Sequence, residues 1–181
     1  MTPIKIIAQR TAVNFKNEIF SGVYSEVYEQ PLWVTYEVLC PMGKASRNGM
    51  NFYTNDSIKT SDDSDYMANE YDKGHLAPAA DFNCDKEILF KTFTYLNCSL
   101  QQENLNRTTW RLLEVREREL AKTHKVVVVE IRCIFGPKSI KLSSGATVPT
   151  AYRKTIKYDG KIEVYYFKNE KPLSTDFTKY K

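Results

Sequence analysis

The chain reads YDKGHLAPAADF at residues 71–82 and, after a spacer, YLNCSLQQENLNRTTWRLLE at residues 95–114. Hydrolysing a phosphodiester near neutral pH needs a nucleophilic water, charge stabilisation on the phosphoryl oxygens and help for the departing alkoxide. A neutral His can take the proton of the water, because its reference pKa lies near the working pH. A divalent cation can meet the other two needs, and magnesium accepts oxygen ligands while keeping several waters. The stretch holds these parts close together: His75 follows Gly74, Asn97 sits in an expected strand, Asn106 stands at an expected helix start, and Glu114 follows on that helix. The eight residues from Asn106 to Glu114 would turn an ideal helix through about 800°, roughly 80° past two full turns, so both can address neighbouring space. Each part alone has a plainer reading: a hydrogen-bonded or surface His, an Asn cap, a Glu facing water.

Outward from this stretch, alternation and turn chemistry suggest strands. PLWVTYEVLC (31–40) alternates and opens at Pro31, and KVVVVEIRCIFG (125–136) begins as a β-branched run suited to a buried central strand. VPTAYRKTIKY and KIEVYYFKN flank Asp159-Gly160, a strong hairpin signal. FTYLNCSL (93–100) reads as a strand. Asn106, Thr108 and Thr109 are N-cap candidates for a helix over Thr108 to Lys122, whose Trp110, Leu113, Leu120 and Ala121 share a face. Residues 1–30 read as an arm or edge strands and residues 171–181 as a polar tail. The loop over 44–72 is long and polar, and its Asp62, Asp63 and Asp65 lack the Gly and final Glu of a calcium loop, which leaves a solvated acidic loop. The expected fold is α+β in one domain, 1–181: a central, mostly antiparallel sheet with packed helices.

With 181 residues, 42% hydrophobic and 27% charged, the composition is that of an ordinary globular chain. The net charge of +4 is unevenly spread: residues 1–110 hold 10 Lys/Arg against 14 Asp/Glu, and residues 111–181 hold 16 against 8. A basic half suits a polyanion, although a solvated Lys-rich surface has the same composition. Cys40, Cys84, Cys98 and Cys133 lack CxxC spacing and have only two His for company, which argues against structural zinc. The first residues lack the apolar run of a signal peptide, so a cytoplasmic or otherwise intracellular setting and reduced thiols are expected, with secretion of a processed form and two disulfides as the alternative. No stretch is apolar for long enough to span a membrane.

DKGHLAPAADF followed by YLNCSLQQENLNRTTWRLLE resembles the signature of the DNA/RNA non-specific endonucleases, enzymes built on a ββα-metal, or His-Me, finger. Their pattern is Asp-Arg-Gly-His-(Leu/Gln)-Ala, then Asn-(x8)-Asn-(x3)-Trp-(x3)-Glu, and Asn97, Asn106, Trp110 and Glu114 keep the second spacing without a gap. PLWVTY is similar to the family's early strand, and VPTAYRKTIKY to a later Val-Pro element. The resemblance implies a Mg2+-dependent endonuclease, with Mn2+ as an alternative ion, that cuts DNA, with RNA as a second substrate, and leaves 5′-phosphate ends. It makes His75 the general base, Asn106 the direct metal ligand, Glu114 a holder of metal-bound water and Asn97 a shaper of the site. Arg47 resembles the family Arg that meets the scissile phosphate, and Lys73 stands where the family has Arg. A lysine keeps the charge and loses the planar fork; its other reading is a structural partner of Asp72 or another loop acid. A homodimer and an inhibitor protein are further partners in this reading. The alternatives are a nucleic-acid-binding relative with weakened catalysis and a toxin-type nuclease held by an inhibitor.

Overall fold

A computed structural model describes residues 8–181; the first seven residues, part of the expected N-terminal arm, lie outside the described residues. Strands β1 (Val13–Lys16), β2 (Phe20–Ser25) and β3 (Gln30–Glu37) form an antiparallel meander. The chain then leaves the sheet and returns as β6 (Val128–Ile134), which pairs directly with β3, followed by β7 (Ala151–Tyr158) and β8 (Lys161–Lys168). The order β1-β2-β3-β6-β7-β8 is antiparallel throughout and confirms the α+β class. Asp159 (φ 44°) and Gly160 (φ 73°) both take the left-handed backbone that the tight β7–β8 hairpin requires.

Between β3 and β6 lies the part that makes the site. Strands β4 (Tyr71–His75) and β5 (Cys98–Gln102) pair as an antiparallel ribbon, with the short helix α1 (Lys86–Phe90) between them in sequence. A helix follows β5 at once: α2 (Glu103–Leu105), a π-helical turn (Asn106–Trp110) and α3 (Arg111–Thr123) run on without a break. Trp110, Leu113 and Leu120 pack against Val34, Val129, Ile131, Tyr152 and Phe167 of the sheet, and this is the main core.

Several expectations need correction. The helix starts before Thr108, because Gln102 caps it by accepting the Leu105 amide at 3.0 Å. The two threonines are mid-helix, where Thr108 donates to the Asn104 carbonyl and Thr109 to the Ser174 carbonyl. The strand expected at 93–100 begins only at Cys98, since Tyr95–Asn97 form a 3-10 turn behind a Thr94 cap. The acidic loop is not simply solvated: Asp62 and Asp65 form a reciprocal capping box on a 3-10 turn, and Asp65 is buried and accepts the Ala146 amide. Cys40 and Cys84 form a disulfide with Cα atoms 5.4 Å apart, whereas Cys98 and Cys133 are free and buried, so neither four free thiols nor two disulfides is the observed state. The tail at 171–181 folds back through a 3-10 turn (Phe177–Tyr180) and stacks Tyr180 on Phe167 at 4.8 Å. Among the described residues, no helix is long and apolar enough to cross a membrane.

Candidate active site

Antiparallel pairing sets His75 opposite Cys98 and Gly74 opposite Ser99 at the end of the ribbon. A Cβ on Gly74 would lie 2.7 Å from the Gln101 Cβ, so only glycine lets the ribbon close there. The strap beyond His75 is held by Asn97. Its Oδ1 accepts the Ala77 amide at 2.7 Å, and its Nδ2 donates to the Ala77 and Thr92 carbonyls at 2.9 and 3.0 Å. With its carboxamide fully used and buried, Asn97 positions the strap and has no polar group left for chemistry, which narrows the role expected of it.

His75, Asn106, Glu114, Arg47 and Lys73 all line one cavity of about 970 Å³. The π turn explains how the two helical residues meet there. It absorbs one surplus residue, so the eight residues from Asn106 to Glu114 cover the angle of seven, roughly 700°, within about 20° of two full turns. The offset of an ideal helix is thereby largely removed. Asn106 donates from Nδ2 to Asp72 at 2.9 Å, and among the described residues no protein donor reaches its Oδ1. The same Asp72 carboxylate takes Arg107 through two bonds of 2.9 and 2.7 Å. Asp72 therefore fixes which end of the amide serves the cavity.

His75 sits between Phe52 and Phe93, with ring centroids 4.7 and 4.8 Å away, and its Nε2 is buried without a hydrogen-bond partner. Burial, and then the Arg47 charge, lower its pKa to about 3, which keeps the imidazole neutral and able to accept a proton. Glu114 is pushed up to about 7, first by burial, with Lys154 acting against the shift and Glu117 adding to it. Beneath it Lys154 and Glu117, both fully buried, form an ion pair, and Tyr36 donates to Glu117 at 2.6 Å. Lys154 also lies 4.6 Å from the Trp110 ring centroid.

The two cations named from sequence differ in their freedom. Arg47 is exposed on the rim and has no ion-pair partner among the described residues. Its loop is fastened by the Ala45 amide to the Asn83 carbonyl (3.0 Å) and by the Cys40–Cys84 bond. Lys73 is held by Asp63, whose carboxylate is shared with the Tyr95 hydroxyl, so its loop-acid partner is Asp63 and not Asp72.

Sequence reading named Asp72 only as an alternative partner of Lys73, not of Asn106 and Arg107, and missed Asp81 and Arg118. Arg118 lines the cavity and bonds buried Asp81 at 2.8 Å, tying α3 to the strap after His75. Its position four residues after Glu114, on the same helical face, was the available signal. The oxygen-only donor set of Asn106 and Glu114 suits a hard divalent cation, and among the described residues no three His, Cys, Asp or Glu side chains cluster as ligands. A metal here would depend on one amide oxygen, a nearby carboxylate and water.

The β4–β5 ribbon and the helix that follows it thus form a ββα unit that brings His75, whose Nε2 is buried without a partner, to the same cavity as Asn106 and Glu114. The chain belongs to the DNA/RNA non-specific endonuclease family, whose profile matches residues 6–177. It is 32% identical over 114 residues to Endonuclease G, mitochondrial, of Bos taurus, an alignment covering 60% of this chain and 38% of that protein. It is 32% identical over 129 residues to the Mitochondrial nuclease of Saccharomyces cerevisiae, covering 67% of this chain and 39% of that one. The chain thus spans about two fifths of the length of these relatives. In fold it is similar to EndoG in a solved EndoG/EndoGI complex, with TM-score 0.81, 23% identity and coverage of 92% of this chain and 78% of that one.

Proposed function

We propose that this chain is a divalent-metal-dependent endonuclease that hydrolyses phosphodiester bonds of DNA, and of RNA as a second substrate, with little sequence preference. The observation that carries this reading is the placement of the unpartnered His75 ring and the free Asn106 Oδ1 on one cavity. His75 takes a proton from the attacking water, the water oxygen bonds to phosphorus, and the bond to the 3′ oxygen breaks; the departing oxygen takes a proton from solvent water, leaving 5′-phosphate and 3′-hydroxyl ends. Asn106 would hold Mg2+ directly through Oδ1 and Glu114 would hold a water on it, and Mn2+ would suit the same oxygen donors. The ion, when bound, supplies positive charge beside the phosphoryl and leaving oxygens. Arg47 on the rim and Arg118 beside Asp81 both line the cavity and meet the phosphate there. Once a phosphate neutralises Arg47, one of the two causes that depress the His75 pKa is gone, and the base strengthens as substrate arrives.

Inhibitor control is proposed from the solved relative, an EndoG/EndoGI complex that shows a mechanism of EndoG inhibition. The disulfide favours an oxidising compartment over the reducing cytoplasm. The test is incubation with supercoiled plasmid and with RNA, in Mg2+ and in chelator. Cutting is expected only with metal, and His75→Ala is expected to lose it by about 10²-fold or more while still binding nucleic acid. Full activity of His75→Ala would remove His75 from the reaction. Absence of cutting by the unaltered chain would leave a binding protein, a reading that the capture of Lys73 by Asp63 favours.

A further inference from the structure

The sheet has a second face that takes no part in the cavity. Along β6, β7 and β8 alternate residues are buried on the helix side, among them Val129, Ile131, Tyr152, Lys154, Ile156, Tyr165 and Phe167. Their neighbours in sequence stand on the other side. There the register sets Trp33 beside Arg132, Arg132 beside Arg153, and Arg153 beside Tyr166. One row therefore crosses four strands, about 14 Å at the usual strand spacing, with a ring at each end and two guanidiniums between.

The row is open to solvent. Tyr166 is 50% exposed, the Arg132 side chain 51%, Arg153 is exposed and Trp33 partly so. Trp33, Ile162, Val164 and Tyr166 belong to none of the apolar clusters among the described residues. The strands also set Lys16, Lys157 and Lys168 on this face, so five cations stand against Glu37 and Glu130, with Glu170 just beyond β8 reaching Lys168 at 3.9 Å. Like charges side by side in a ladder are unfavourable. Glu130 takes Arg132 at 2.8 Å, and no acidic side chain pairs with Arg153 among the described residues. What Arg153 lacks is an anion, and what the ends of the row offer is flat apolar surface. A single-stranded nucleic acid brings both, phosphates for the arginines and unpaired bases for the rings.

We propose that this face is an accessory platform for single-stranded nucleic acid, on the far side of the sheet from the cavity. The proposal rests on the nucleic-acid reading of the active site and adds a second foothold for the same polymer. It also gives a place to part of the basic excess of residues 111–181. A duplex, whose bases are stacked within it, uses only the cations and binds this face less well.

The test uses the full chain carrying His75→Ala, so that substrate survives, and reads anisotropy of a labelled single strand of about 30 nucleotides. Tyr166→Ala is expected to weaken binding at least ~5-fold, with Tyr166→Phe restoring it. Arg132→Ala with Arg153→Ala is expected to lower the salt slope by ~1.4, about 0.7 for each phosphate no longer neutralised. Equal thermal midpoints show that the variants remain folded. With His75 intact, the same changes are expected to leave cleavage of a strand of about six nucleotides unaltered and to slow cleavage of the long one. Unchanged affinity and slope overturn the platform. So does a halved sedimentation mass with unchanged slope, which makes the face a contact between copies of the chain. If the unaltered chain cuts nothing yet Tyr166→Ala weakens binding, the nuclease reading fails and the platform stands; with normal cutting and unaltered binding, the platform fails and the nuclease reading stands.

Discussion

Asp72 has the widest reach of any single side chain around the site, because one carboxylate orients the proposed metal ligand and anchors Arg107. An asparagine there could turn its own amide either way, and it would lose the carboxylate charge and one of the two acceptor oxygens that serve Asn106 and Arg107. Asp72→Asn is expected to lower cleavage by about 10–100-fold, the usual effect of removing a partner of a metal ligand. A Mg2+ titration checks it, since a shifted midpoint separates metal loss from unfolding. His75 and Glu114 make opposite contributions to stability against pH. Unfolded His titrates near 6.5 and His75 near 3, so between these values the unfolded chain binds the extra proton and acid weakens the fold. Glu114 titrates near 7 when folded against 4.5 for the free group; its stabilising share is full below 4.5 and is lost as pH rises through 7. In chelator, His75→Gln is expected to flatten the urea-unfolding profile between pH 3 and 6.5, and Glu114→Gln the opposing limb between 4.5 and 7. Unchanged limbs would mean that burial does not set these two groups.

Among the elements, the helix face and the β7–β8 hairpin were legible because each has a local signature, Trp110 and Leu113 on one face and Asp159-Gly160 between alternating strands; the ribbon was implied by the family resemblance, while its first strand overlaps the expected loop and its second begins at Cys98. The start of the helix was not legible. Gln102 caps by reaching over its own next turn, while Thr108 and Thr109, which look like caps, spend their hydroxyls elsewhere. The π turn was equally hidden, since NRTTW carries no local signal for it, although Trp110 at its end packs on Tyr152 and Phe167. The cysteine pairing could not be read from spacing, because proximity of residues 44 apart in sequence is a property of the fold. Closing a loop of that length stabilises by roughly 4 kcal/mol in the chain-entropy account. Cys40→Ser with Cys84→Ser is expected to lower stability by about 2–4 kcal/mol and to reduce cleavage by loosening the wall that carries Arg47. Denaturation and plasmid nicking, with and without a dithiol reductant, measure the two effects.

At the scale of the whole molecule, sheet and finger are joined by the buried Lys154–Glu117 pair, which sequence showed only as two more charges in a basic half. Breaking such a pair strands the remaining charge in the core. Lys154→Met is expected to cost about 3–5 kcal/mol, while Lys154→Met with Glu117→Leu recovers most of the loss; chemical denaturation of the two variants decides it. The insertion of the finger between β3 and β6 also bears on how the chain reaches its fold. Thr35 and Val129 meet across 94 residues, so the centre of the sheet must close a long loop. The Cys40–Cys84 link bypasses nearly half of that loop, which trims the closure cost by about 0.6 kcal/mol, the saving expected for a halved loop. Oxidised chains would therefore zip the sheet about two- to threefold faster. Because the helix packs on Val34 of β3 and on Val129 and Ile131 of β6, a chain in which these strands have not met lacks part of the seat that brings Glu114 to the cavity.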